Sequence, residues 1–147
     1  MSDKITWVRW QLVAAALFLS SVPLAFANSA PQVSGSYNVV QETALGSQQQ
    51  IQLRIHLVNH GASGLSIQRM TVWDFSHPDK GGTRACAIAL GAHASADTTQ
   101  EFTIRSADYQ MWKKGLQPRL VLQVAGPGNT RSKIVVRLDR DSSKEVQ

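Results

Sequence analysis

The side chains able to hold a metal ion are His56, His60, His77, His93, Cys86, Met70 and Met111. Imidazole, thiol and thioether together suit copper or zinc. Their spacing does not assemble a site. His56 and His60 share a face only on a continuous strand, and would then lie roughly 13 Å apart at about 3.3 Å per residue, too far for two ligands of one ion. There is no His-x-His, no Cys-x-x-Cys and no Cys followed by His-x-x-x-Met. His56, His60, His77, Cys86 and His93 are carried forward as metal candidates with no ion assigned, and no cofactor is expected. Each has a plainer reading. His56 is the polar side of an alternating strand, and His60, His77 and His93 sit among loop residues. Cys86, the single cysteine, lies in the apolar run Ala85-Cys86-Ala87-Ile88-Ala89-Leu90. A lone thiol there packs as a small core residue or pairs between chains, and no disulfide can form within the chain.

Hydrolytic chemistry finds less. Gly61-Ala62-Ser63-Gly64 places a serine among glycines, but a nucleophile elbow needs glycine where Leu65 stands, and it needs a following helix. The carboxylates are scattered, and His77 and Asp79 flank Pro78 in a turn. No glycine-rich phosphate cradle opens a helix. No catalytic residue is expected, and the chain reads as a non-enzyme. Binding residues are easier to nominate. Tyr109 and Trp112 are three apart on a short helix and so share one side of it. They can form an aromatic platform for a sugar or a partner protein, or a lid packed under the helix. His77 and Asp79, in a long loop, are the other partner-binding candidates.

The elements that must position these residues are strands. Ile51, Leu53, Ile55 and Leu57 alternate with Gln52, Arg54 and His56, the period of a strand with one wet face. Tyr37 to Leu45 precedes it, with Gly46-Ser47-Gln48 as the turn. Leu65 to Phe75 follows, with a parity slip that predicts a bulge near Met70. Arg84 to Leu90 is a short fourth strand. Phe102 and Ile104 mark a fifth, Arg119 to Val124 a sixth, and Ile134, Val136 and Leu138 a seventh. Between the fifth and sixth, Ser106 can cap a helix that carries Asp108 early and Lys113 and Lys114 late, with Gly115 past its end and Pro118 preventing its return. The loops Asn59 to Gly64, Ser76 to Thr83 and Gly91 to Asp97 are open to a partner. This is an all-β chain, a seven-stranded antiparallel sandwich with one short helix between strands five and six.

The amino terminus has a different character. Lys4 and Arg9 precede an apolar run from Leu12 to Val22, and Ala25-Phe26-Ala27 offers small residues to a signal peptidase. The expected division is a signal peptide over 1–27, a polar lead-in over 28–36, a β-sandwich domain over 37–139 and a disordered tail over 140–147. The alternative is an uncleaved anchor, although the run is shorter than the roughly 20 apolar residues of a spanning helix. Cleavage leaves 120 residues, enough for one core, with thirteen Lys and Arg against nine Asp and Glu. These charges are dispersed along the sequence with no basic run interleaved with aromatics, so nucleic acid is not an expected partner.

Strand order and length over Tyr37 to Leu138, with Trp73 as a candidate core tryptophan on the third strand, resemble immunoglobulin-like sandwiches of the fibronectin type III kind. Asp108-Tyr109-Gln110-Met111-Trp112-Lys113-Lys114-Gly115-Leu116-Gln117-Pro118 resembles a step in small exported bacterial proteins of unassigned role. These resemblances imply a fold and a location, periplasmic or extracellular, and no activity. The functional expectation is an exported, non-enzymatic β-sandwich domain that binds another envelope or secreted component through a sheet edge or loops. Its alternative is a periplasmic metal-binding, copper-type or redox accessory protein. Membrane contact is expected only through an uncleaved leader.

Overall fold

The computed structural model describes residues 32–73 and 82–142. The expected leader, the first four residues of the lead-in, the loop carrying His77 and Asp79 and the end of the tail lie outside them. Seven strands and one short α-helix follow in order: β1 (Val33–Leu45), β2 (Gln48–Asn59), β3 (Leu65–Val72), β4 (Thr83–Leu90), β5 (Ser95–Arg105), α1 (Ser106–Lys113), β6 (Arg119–Ala125) and β7 (Arg131–Arg140). Among the described residues no helix is long and apolar enough to cross a membrane.

The strands form one mixed sheet in the order β4-β3-β6-β7-β1-β2-β5. Every pairing is antiparallel except β1 with β7, which run parallel over Gly35–Tyr37 against Leu138–Arg140. Pairing of β1 with β2 and β7 brings Val33 to Ser36 and Arg140, which read as lead-in and tail by polarity alone, into the ladder. The sheet curls until its outer edges meet and it is nearly a barrel. Arg84 Nε on β4 donates to the Glu101 carbonyl on β5 at 2.5 Å. A Cβ on Gly82 would stand 2.9 Å from the Thr103 carbonyl oxygen, so only glycine lets the chain entering β4 pass this close to β5.

Alternation built this shape. Ile51, Leu53, Ile55 and Leu57 of β2 and Leu120, Leu122 and Val124 of β6 are buried, and they pack with Ile67, Met70, Val72, Phe102, Val136 and Leu138 in one apolar interior. The bulge of β3 falls between Ile67 and Arg69, at Gln68 and not at Met70. Met70 is itself fully buried, so the parity slip has to come before it. The same parity corrects the expected core tryptophan: with Val72 facing in, Trp73 faces out and is only half-buried.

The core tryptophan is Trp112, from the helix. Helix α1 lies across one end of the interior with Asp108, Tyr109 and Trp112 buried. Ser106 is its first helical residue and not its cap; Arg105 occupies the cap position, and no side chain caps the terminus. The Arg105 guanidinium instead grips Asp108, with Nη2 at 2.8 Å from Oδ1 and Nε at 3.1 Å from Oδ2. The other end follows expectation. Gly115, at φ +98°, donates to the Trp112 carbonyl at 3.0 Å, and Leu116 donates to Met111 at 3.0 Å. This pair of bonds is a Schellman closure, and it requires the left-handed residue that glycine supplies.

The helix is latched to β1. Tyr109 donates its hydroxyl proton to Glu42 Oε2, and Lys113 Nζ donates to Glu42 Oε1 at 3.2 Å while lying 4.8 Å from the Tyr109 ring centre. The Tyr109 hydrogen bond, joined by Lys113, holds the Glu42 carboxyl below its usual range against the opposing effect of burial. Burial, reinforced by Glu42, pushes the Tyr109 phenol well above the ordinary tyrosine value. A phenol raised in the fold contributes stability that is complete below its unfolded pKa of about 10 and is lost as pH rises beyond it. Urea unfolding at pH 8 and pH 10.5 is therefore expected to show a loss of stability on the alkaline side that is smaller in Tyr109→Phe. The Tyr37 phenol, raised by burial, retains its own share.

Candidate functional site

The metal candidates do not converge. His56 Nδ1 lies 2.8 Å from Asp97 Oδ1, and His60 Nε2 lies 2.7 Å from Ser34 Oγ. His93 sits at φ +52° in the turn before β5, its amide donating to the Gly61 carbonyl at 3.2 Å. Cys86 is half-buried with Sγ 3.8 Å from the Ile67 carbonyl oxygen, and burial pushes its thiol up, which lowers the thiolate fraction available for reaction. Among the described residues no three His, Cys, Asp or Glu side chains group as ligands. His77 and Asp79 lie outside the described residues.

Register produces one constellation that spacing could not reveal. Ser36, His56 and Asp97 are directly opposed on β1, β2 and β5, in the order of a nucleophile, a base and its orienting acid. The row lies in water, however. The side chains of His56 and Asp97 are 43 % and 71 % exposed. A carboxylate so hydrated gives an imidazole little of the orientation and charge compensation that a buried one supplies. Hydrogen bonding between strands accounts for the row.

Tyr109 and Trp112, nominated as a platform or a lid, are each 3 % exposed. Trp112 meets Tyr37 edge-on at 6.1 Å and Tyr109 at 5.9 Å between ring centres. Their packing faces are spent on the interior.

The surface with the most concentrated chemistry is the outer face of β3, β6 and β7. The inward residues of these strands are apolar, so alternation sends the remaining ones outward. Cross-strand partners then form rows. Arg119 of β6 stands opposite Arg137 of β7, with Trp73 beyond Arg119 on the chain leaving β3. The next row is Thr83, Thr71, Val121 and Val135, and the next is Ala85, Arg69, Gln123 and Lys133. Arg131 follows opposite Ala125. Five cations, Arg69, Arg119, Arg131, Lys133 and Arg137, thus share one face, and among the described residues none makes a salt bridge. The carboxylate on this side of β7 is Asp139, at the margin, where its Oδ1 accepts from the Gln117 amide at 2.5 Å. Arg119 lies over the Trp73 ring at 6.0 Å from its centre. A groove of about 380 Å³ runs along the face between Trp73, Arg69, Val121 and Lys133.

The fold therefore corrects the reading of the positive charge as dispersed with no aromatic among it. One signal was local: Arg131, Lys133, Val135 and Arg137 recur at every second position of β7, which places them on one side. The pairing of β3 with β6, which brings Arg69 into the row of Lys133, was not local. Like charges directly opposite one another weaken a sheet. Arg119 facing Arg137 is thus an internal cost that an anion laid across both would remove.

No family model and no curated protein matches this chain. Among solved structures it is similar to a protein from Archaeoglobus fulgidus, at 10% sequence identity over 71% of this chain and 89% of that one, with a TM-score of 0.38. It is also similar to the Northeast Structural Genomics Consortium target SoR45, at 8% identity over 78% of this chain and 90% of that one, with a TM-score of 0.39.

Proposed function

We infer that this chain is an exported, non-catalytic binding domain that takes an anionic component of the envelope or its surroundings onto the outer face of β3, β6 and β7. The single observation that carries the reading is the gathering of Arg69, Arg119, Arg131, Lys133 and Arg137 beside Trp73. Opposed arginines whose nearby carboxylate on β7, Asp139, stands at the margin and accepts from Gln117 suit an external anion better than they suit the sheet. The contact belongs to the sheet face, in place of the edge or loops nominated from sequence. The edges of β4 and β5 largely face each other, and the loops that follow β2 and β4 are tied together by Asn59.

An immunoglobulin-like, fibronectin type III-related sandwich remains the proposed fold family. Support comes from grouping: β1, β2 and β5 on one side and β3, β6 and β7 on the other match the division of such sandwiches, with β4 beside β3. Export rests on the leader pattern of residues 1–27 alone. The metal or redox alternative has no comparable grouping of ligands behind it among the described residues.

The test is retention on an immobilised sulfonate resin. A Lys133→Glu/Arg137→Glu variant is expected to elute at much lower salt than an Arg54→Glu/Lys114→Glu variant, which has the same net charge but changes other surfaces. Equal shifts would reduce the effect to net charge and remove the site. The first variant is also expected to unfold at no lower a temperature than the parent, because it ends the opposition of Arg119 and Arg137.

A further inference from the structure

We propose that the occupant of this face is an acidic polysaccharide, a chain whose carboxylate- or sulfate-bearing sugars alternate with neutral ones, lying along the strand direction of β6 and β7. The proposal rests on the basic-face reading and adds a spacing argument to it. Along β6 and β7 the first three rows alternate in character, and Arg131 adds a charged row beyond them. The row of Arg119 and Arg137 is charged, the row of Thr71, Val121 and Val135 is neutral, and the row of Arg69 and Lys133 is charged again. Arg137 and Lys133 are four residues apart, roughly 13 Å at about 3.3 Å per residue. A ligand matched to this pattern bears its charges at intervals and presents an uncharged unit between them.

The neutral row suits such a unit. Thr71 and Thr83 carry hydroxyls 3.0 Å apart, and Val135, 50 % exposed, offers methyl groups. A sugar ring has both hydroxyls for the threonines and a CH face for the valines and for Trp73. The planar guanidinium groups of Arg119 and Arg137 bind carboxylate or sulfate through paired N–H donors.

A nucleic acid fits the pattern less well. Its strand carries a charge about every 3.4 Å, which leaves phosphates against the neutral row. Single strands are also held by several stacking rings, and among the described residues this face has Trp73 alone, already covered on one side by Arg119. A bilayer of anionic lipid would call for more protruding apolar side chains than Val135.

The experiment is calorimetric titration of the full chain with hyaluronan, kappa-carrageenan and neutral dextran, and with a twenty-nucleotide oligothymidylate and phosphatidylglycerol vesicles at the same ionic strength. Hyaluronan or kappa-carrageenan is expected to bind more tightly than the other three, with affinity falling as salt rises. Lys133→Glu/Arg137→Glu should weaken that binding at least tenfold with an unchanged thermal midpoint. Trp73→Ala should weaken it severalfold without changing its salt dependence. Tighter binding of the oligonucleotide or the vesicles through the same cations would overturn the polysaccharide while leaving the basic face as a binding site. Failure of all four anionic ligands to bind, or binding that the charge reversals leave unaltered, would overturn both.

Discussion

Asn59→Asp is expected to cost about 3–5 kcal/mol at pH 7, the range for an uncompensated buried charge, although it changes almost nothing in size. Asn59 is fully buried at the end of β2. Its amide nitrogen donates to the carbonyls of Ser63 at 2.9 Å, Gly91 at 3.0 Å and Leu90 at 3.4 Å. Its amide oxygen accepts from the Gly61 amide at 2.9 Å. One side chain thus joins the loop after β2 to the loop between β4 and β5, and the backbone adds Asn59 to Ala94 at 2.9 Å. A carboxylate in its place aims negative charge at three carbonyl oxygens and has no proton to give. The sign with pH is definite. Burial and these acceptors raise the folded pKa of the introduced acid, so its protonated form fits and stability is lost as pH rises through that value. The midpoint of thermal unfolding at pH 7 should fall by about 10 °C or more relative to the parent, and the gap should narrow at pH 4. A gap that widens at pH 4 would contradict the placement of those three acceptors.

Asn59 also shows how far the sequence could be read. The residue stands in a polar string, Asn59-His60-Gly61-Ala62-Ser63-Gly64, whose composition says only that a loop is present. That its amide would serve carbonyls thirty residues away depends on β3, β4 and β5 folding back to the same end. The strands themselves were legible, because burial on one face imprints a period of two on Ile51 to Leu57 and on Leu120 to Val124. Seven strands and the helix after the fifth follow from that imprint and from Gly115 and Pro118. Local parity fails where a residue is inserted, which is why the bulge at Gln68 was placed too late and Trp73 on the wrong side. The parallel join of β1 to β7 escaped because it rests on pairing across the whole chain. The basic face escaped in part for the same reason: Arg69 and Lys133 are far apart in sequence and share one row through Gln123.

Trp112→Ala is expected to cost about 3–5 kcal/mol, as for other buried large-to-small changes, because no neighbour is placed to fill the space. The indole is 3 % exposed and is held edge-on between Tyr37 and Tyr109. Its loss removes two aromatic contacts worth about 0.5–1.5 kcal/mol each in such settings, and it loosens the helix that Glu42 latches to β1. Trp112→Phe separates packing from polarity. Among the described residues the buried indole N–H meets no acceptor, so phenylalanine forfeits volume but no hydrogen bond, and it relieves an unmatched donor. The phenylalanine variant should therefore keep most of the stability that alanine loses, as read by urea unfolding. The two tryptophans, Trp112 and Trp73, then part in opposite directions. Trp112→Ala, measured at a temperature where it is folded, should be retained by the sulfonate resin as the parent is, because its ring packs in the interior and the cations lie on the outer face. Trp73→Ala should melt close to the parent, since its ring is half-buried on the outer face. Severalfold weaker polysaccharide binding in Trp112→Ala, with Trp73→Ala unaffected, would move the working surface to the helix end of the sheet.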